Sequence, residues 1–216
     1  MNTRRIIFWS GFVIVLGLIV WGLIVAMNKP VKDNRPASAG EITATDHSRG
    51  PIDAPVTLIE YSDFQCPACE TYYHIVKRLL DESSTTIRFA YRHFPLSQHA
   101  NAMPASLASE AAGVQGKFWE MYDLIFTNYT NWTELANPTD IFVGYAATIG
   151  LNVDEFKKDM ASSTLRDKIE ADLNGGIKIG INATPTFFVN GNAITNPPTY
   201  EEFKTIIETA AQSGSK

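Results

Sequence analysis

With 216 residues and a formal charge of −5, the chain is long enough for one domain to bury its own core. Residues 1–29 carry Arg4, Arg5 and Lys29 and no acid, so removing those three positive charges leaves −8 for the remainder, which argues against a nucleic-acid partner. Its two cysteines, Cys66 and Cys69, close too small a loop to serve as a disulfide framework, which points to chemistry rather than stability.

Residues 1–5 read as a short cytoplasmic N-terminus, and Ile6 to Met27 as a transmembrane anchor. These 22 uncharged residues span roughly the 30 Å of a bilayer core at about 1.5 Å each. A cleaved signal peptide would have an apolar region of only about 7–15 residues. Ala37-Ser38-Ala39 has cleavage chemistry but lies ten residues beyond Met27, so an uncleaved anchor is expected. Arg4 and Arg5 then place the N-terminus in the cytoplasm and the rest outside the cell membrane. Residues 28–50, rich in Pro, Ala, Ser and charge, read as a flexible linker, and residues 51–216 as the folded domain.

Val56 to Tyr61 is a β-branched and aromatic run after Pro51 and Pro55, expected as a buried strand ending near the cysteines. Tyr72, Val76, Leu79 and Leu80 follow with helical spacing, and Pro67 suits a first helical turn, so Cys66 falls at a helix N-terminus. Ile87 to Phe94 completes a β-α-β unit. From about 97 to 163 the pattern is helical only, in segments Ala100–Ala112, Phe118–Phe126, Ile141–Ile149 and Asp154–Met160, the last with an Asn152/Glu155 capping box; this is an all-helical insertion. A helix over about 164–179 leads to a strand at Thr184–Val189, the Asn190-Gly191 hairpin turn, a short strand at Asn192–Ile194, and a last helix capped by Thr199 and Glu202.

A helix N-terminus favours a thiolate through its unpaired N–H groups and its dipole, so Cys66 is expected as the exposed nucleophile of low pKa and Cys69, one turn deeper, as the resolving cysteine. Half of a zinc site is the competing reading of Cys-x-x-Cys. Against it, there is no second cysteine pair, and His47, His74, His93 and His99 are scattered. No metal and no cofactor beyond a redox-active Cys66–Cys69 disulfide is expected.

Asp53-Ala54-Pro55-Val56, Glu60 to Cys69, Tyr91 to Leu96, Gln115 to Trp119 and Thr184 to Gly191 together resemble the DsbA-like thiol–disulfide oxidoreductases of bacteria, in particular their membrane-anchored branch. The resemblance implies an α/β fold, a thioredoxin-like mixed sheet with an all-helical insertion, here preceded by one transmembrane helix. By position, Thr184-Pro185 matches the cis-proline loop that binds substrate. Glu60 matches a buried acid that moves protons to and from Cys69. Pro67-Ala68 stands where the best-known members carry Pro-His, and this dipeptide tunes the redox potential. The resemblance further implies a donor of disulfides to cysteine-containing extracytoplasmic proteins, reoxidised by a membrane thiol oxidase, DsbB-like or quinone-linked. The alternatives are an extracytoplasmic reductase or isomerase, and a non-enzymatic anchored chaperone or binding module.

Overall fold

The computed structural model describes residues 36–214 together with Gly17, Leu18, Trp21 and Gly22. Those four are helical and exposed. The expected anchor over 6–27 otherwise lies outside the described residues, as does the cytoplasmic N-terminus over 1–5. Among the described residues no helix is long and apolar enough to cross a membrane.

The domain is built on a five-stranded sheet of order β1-β3-β2-β4-β5: β1 His47–Arg49, β2 Val56–Ser62, β3 Ile87–His93, β4 Thr186–Val189 and β5 Asn192–Ala193. β2 and β3 are parallel, joined by helix α1, Pro67–Glu82. The other pairings are antiparallel. Between β3 and β4 come α2 Ala102–Val114, α3 Phe118–Thr127, a 3₁₀ turn at Tyr129–Asn131, α4 Thr139–Thr148, α5 Val153–Met160 and α6 Ser163–Lys178; α7, Tyr200–Gly214, follows β5. The mixed sheet with its helical insertion is therefore as the sequence predicts.

Local signals explain the boundaries. Asn190 (φ 48°) and Gly191 (φ 78°) both take the positive φ that a type I′ hairpin turn needs. The Asn152 carboxamide accepts from the amides of Asp154 and Glu155, and the Thr199 hydroxyl from that of Glu202. Alternation along β2 sends Val56, Leu58 and Glu60 to one face and Ile59 and Tyr61 to the other. The first face packs on α1, α2, α3 and α7 in the main core; the second meets Phe94, Ile181 and Phe188, with Leu173 of α6 packed against them. Glu60 thus enters the large core from the middle of the central strand.

The expected flexible linker is corrected where it is described. Residues 36–50 are docked along the sheet, held by polar groups and by Ala39 and Ile42 packed against the second core face. The Arg92 guanidinium donates to the carbonyls of Ala39 (2.7 Å) and Glu41 (2.9 Å) and to both carboxylate oxygens of Asp46 (2.7 and 2.9 Å). The Ala37 amide donates to the Ile179 carbonyl, and β1 pairs with β3 as His47↔Tyr91 to Arg49↔Phe89. Gly50 (φ 94°) closes this segment so tightly that an added Cβ would lie 2.1 Å from the Ile87 carbonyl oxygen. Gly50→Ala should therefore cost about 3 kcal/mol or more in urea unfolding. A loose tether would tolerate the change without measurable loss.

Candidate active site

β2 ends at Ser62, and the four residues before α1 turn sharply to bring Cys66 to the helix N-cap and Pro67 to its first turn. Asp63 organises this turn. Its carbonyl accepts from the Cys66 amide at 3.1 Å, and its own amide donates to the Cys69 sulfur at 3.5 Å. The Asp63 carboxylate is buried and takes three donors: the amides of Gln65 (2.7 Å) and Leu96 (2.8 Å) and the His99 ring Nδ1 (2.7 Å). Gln65 is pinned in turn by the helical insertion. Its carboxamide donates to the Thr133 carbonyl and accepts from the Asn101 amide, and Tyr129 donates to its carbonyl.

Both cysteines are free thiols; Cys69 is 0% exposed, and Cys66, expected to be exposed, is itself buried at 7%. The Cys66 thiol is lowered to about 5. Hydrogen bonding from Cys69 is the largest cause, and the helix amides of Cys69 and Ala68 add to it against the opposing effect of burial. Cys69 moves the other way, well above an ordinary thiol, because burial disfavours its anion and the Cys66 and Glu60 charges repel it. One sulfur is thus held as the anion and the other as the protonated partner.

Thr184-Pro185 forms a cis peptide that sets the Thr184 carbonyl oxygen 3.5 Å from Cys66 Sγ, where it accepts from that sulfur only when it is protonated. This loop is held from behind by Asn196, which donates to the Pro185 carbonyl, and by Tyr72, which donates to the Pro197 carbonyl. Pro67 and Ala68 are exposed at the mouth of the site. Below the cysteines, Glu60 is 1% exposed and its Oε2 has no hydrogen-bond partner among the described residues. Burial pushes its carboxyl up to about 7, against the opposing charge of Arg49. The structure therefore brings together Cys66, Cys69, Glu60, Pro67, Ala68, Thr184 and Pro185.

The remaining histidines have other occupations. His74 pairs with Glu70 on the exposed face of α1 at 3.1 Å. His47 and His93 both direct Nε2 at the buried Glu110 carboxylate. Among the described residues no group of three or more His, Cys, Asp or Glu side chains is arranged to hold a metal ion. Sequence reasoning missed His99, Asn101 and Tyr129 as parts of the site; Gln65 and Asp63 stand inside the cysteine motif, but their partners lie 33 to 68 positions away.

Residues 42–209 match the family model described as thioredoxin. Oxidised BdbD from Bacillus subtilis superposes with a TM-score of 0.73 at 24% identity, covering 82% of this chain and 99% of that one. The alpha-DsbA1 of Wolbachia pipientis gives 0.72 at 21% identity, over 80% and 94% of the two chains. At these identities the likeness is one of fold. Among curated proteins, the Na⁺/H⁺ antiporter NhaA 1 of Salinispora arenicola is 42% identical over 147 residues, 68% of this chain but 22% of the antiporter. NhaA of Herminiimonas arsenicoxydans is 38% identical over 149 residues, 69% of this chain and 23% of that protein. This chain thus spans less than a quarter of those relatives, and ion exchange is a description of them alone.

Proposed function

Since this chain belongs to the thioredoxin family, we propose that it is a DsbA-like protein-disulfide oxidoreductase that donates a Cys66–Cys69 disulfide to cysteines of extracytoplasmic proteins. The observation that carries the reading is the opposed pair of sulfurs: Cys66 at the helix N-cap against the Thr184 carbonyl, Cys69 sealed a turn below. A substrate thiolate attacks Cys66 Sγ, the Cys66–Cys69 bond breaks, and its electron pair goes to Cys69, which takes a proton from Glu60. A second substrate thiol then attacks the mixed disulfide and expels Cys66 as the thiolate. Holding that thiolate near pKa 5 stabilises the reduced form, so the disulfide is readily given away. Residues 6–27 serve as the anchor that keeps the domain beside a quinone-linked, DsbB-like oxidase, which restores the disulfide.

Cys69→Ala tests this. Lacking the resolving sulfur, it should accumulate mixed disulfides through Cys66 with secreted cysteine-containing proteins, and the Cys66→Ala, Cys69→Ala double variant should accumulate none. Equal capture by the two variants would sink the exchange reading in favour of a binding module. The direction of electron flow is read from equilibrium with glutathione, where a potential near thioredoxin's, about −270 mV, would make the protein a reductase instead.

A further inference from the structure

The leaving sulfur in the reaction just described has nowhere obvious to place its charge. Cys69 is fully buried, so when the Cys66–Cys69 bond breaks, the electron pair arrives on a sulfur that water does not reach. Glu60 can supply a proton, but only after the charge has begun to form. A donor already aimed at that sulfur is therefore needed during bond breaking, as backbone amides are aimed at developing oxyanions elsewhere.

The Asp63 amide lies 3.5 Å from Cys69 Sγ, and the Asp63 side chain is fastened more firmly than a turn residue requires. Its carboxylate is fully sequestered and is shared among the Gln65 amide, the Leu96 amide and His99 Nδ1. Two of these three contacts come from the loop after β3, a separate stretch of chain. Asp63 is thereby clamped between the cysteine turn and that loop. His99, one-fifth exposed, closes the clamp from the solvent side.

We propose that Asp63 is a positioning residue for the leaving sulfur: its amide N–H receives the Cys69 thiolate as Cys66 is attacked, and its carboxylate, latched by His99, holds that amide on the sulfur. The inference rests on the exchange reading above. In the step concerned, a bond forms between the substrate sulfur and Cys66 Sγ, the Cys66–Cys69 bond breaks, and the pair on Cys69 is met by the Asp63 N–H before the proton comes from Glu60.

The test separates departure of Cys69 from attack on Cys66. Oxidised full-length protein is mixed with reduced glutathione and the rate of disulfide opening measured. In parallel, Cys69→Ala carrying thionitrobenzoate on Cys66 is given the same thiol, which then attacks the same sulfur but expels thionitrobenzoate. His99→Ala should slow opening of the disulfide about fivefold while changing thionitrobenzoate release less than about twofold. His99→Asn, which keeps an N–H donor near the position of Nδ1, should recover most of the rate, and Asp63→Asn should slow opening about tenfold or more. Equal slowing of both reactions, or no slowing by His99→Ala, overturns the proposal. A wild-type disulfide inert toward glutathione would instead overturn the exchange reading, and this inference with it.

Discussion

At pH 8 the reduced Glu60→Gln protein should be more stable than wild type by about 3 kcal/mol and slower in disulfide exchange. Burial raises the Glu60 carboxyl from its ordinary 4.5 to about 7, so the folded state holds a proton that the unfolded state releases. An acid raised in this way contributes its stability below the unfolded value, and that stability falls as pH rises through the folded value near 7. At about 1.36 kcal/mol per pH unit, the gap between the two comes to about 3 kcal/mol. Glutamine keeps the shape and removes the ionisation, so urea unfolding from pH 5 to 8 should be flat in this respect for the variant and decline for wild type. A wild-type curve as flat as the variant's would sink the argument. Gaining stability while losing exchange is the mark of a group retained for chemistry against the fold's preference.

Glu110→Ala should act in the opposite sense, with a loss of about 3–5 kcal/mol. Glu110 is 3% exposed and binds three groups at once: His47 Nε2 at 2.9 and 3.0 Å, His93 Nε2 at 2.9 Å and Lys168 Nζ at 2.7 Å. Through them it ties β1, β3, α2 and α6 together. Burial alone would raise its carboxyl; hydrogen bonds from His47 and His93 and the charges of His93 and Lys168 overcome that and hold it well below the ordinary carboxylate range. The sign is that of a depressed acid, with stability present above the unfolded pKa and lost as pH falls through the folded value. Removing the carboxylate leaves buried nitrogens without their acceptor. Chemical denaturation of the variant at neutral pH gives the number, and a loss under about 1 kcal/mol would mean the cluster is ornamental.

These residues also show what the chain discloses in advance. β2, β3 and α1 are legible because their apolar positions repeat with the period of the element they form, and Asn190-Gly191 because a type I′ turn admits few residue pairs. The same local logic places Cys66 at a helix start. β1 escapes it, since His47, Ser48 and Arg49 form no apolar pattern. What fixes them is Glu110 for His47, pairing with β3, and the Trp119 ring, whose centroid lies 4.5 Å from the Arg49 guanidinium. The Asp63–His99 contact is hidden for a related reason, being a bond between loops 36 residues apart that no periodicity foreshadows. Glu60 was visible as a residue only by analogy; its missing partner and raised proton affinity are properties of the packed core.

The place of β4 in the sheet sets the order in which the protein can come into being. Strand β2 is central, and as the chain is synthesised it gains β3 within some thirty residues, but its other edge stays open until Thr186–Val189 has been made, after the whole insertion. Thr184 is made just ahead of that strand, so the carbonyl that meets Cys66 joins the site only after the whole insertion has been synthesised. A nascent chain therefore exposes a strand edge while the insertion is being made, when aberrant pairing is easiest. Its cysteines, in the same interval, lack the wall that completes their setting.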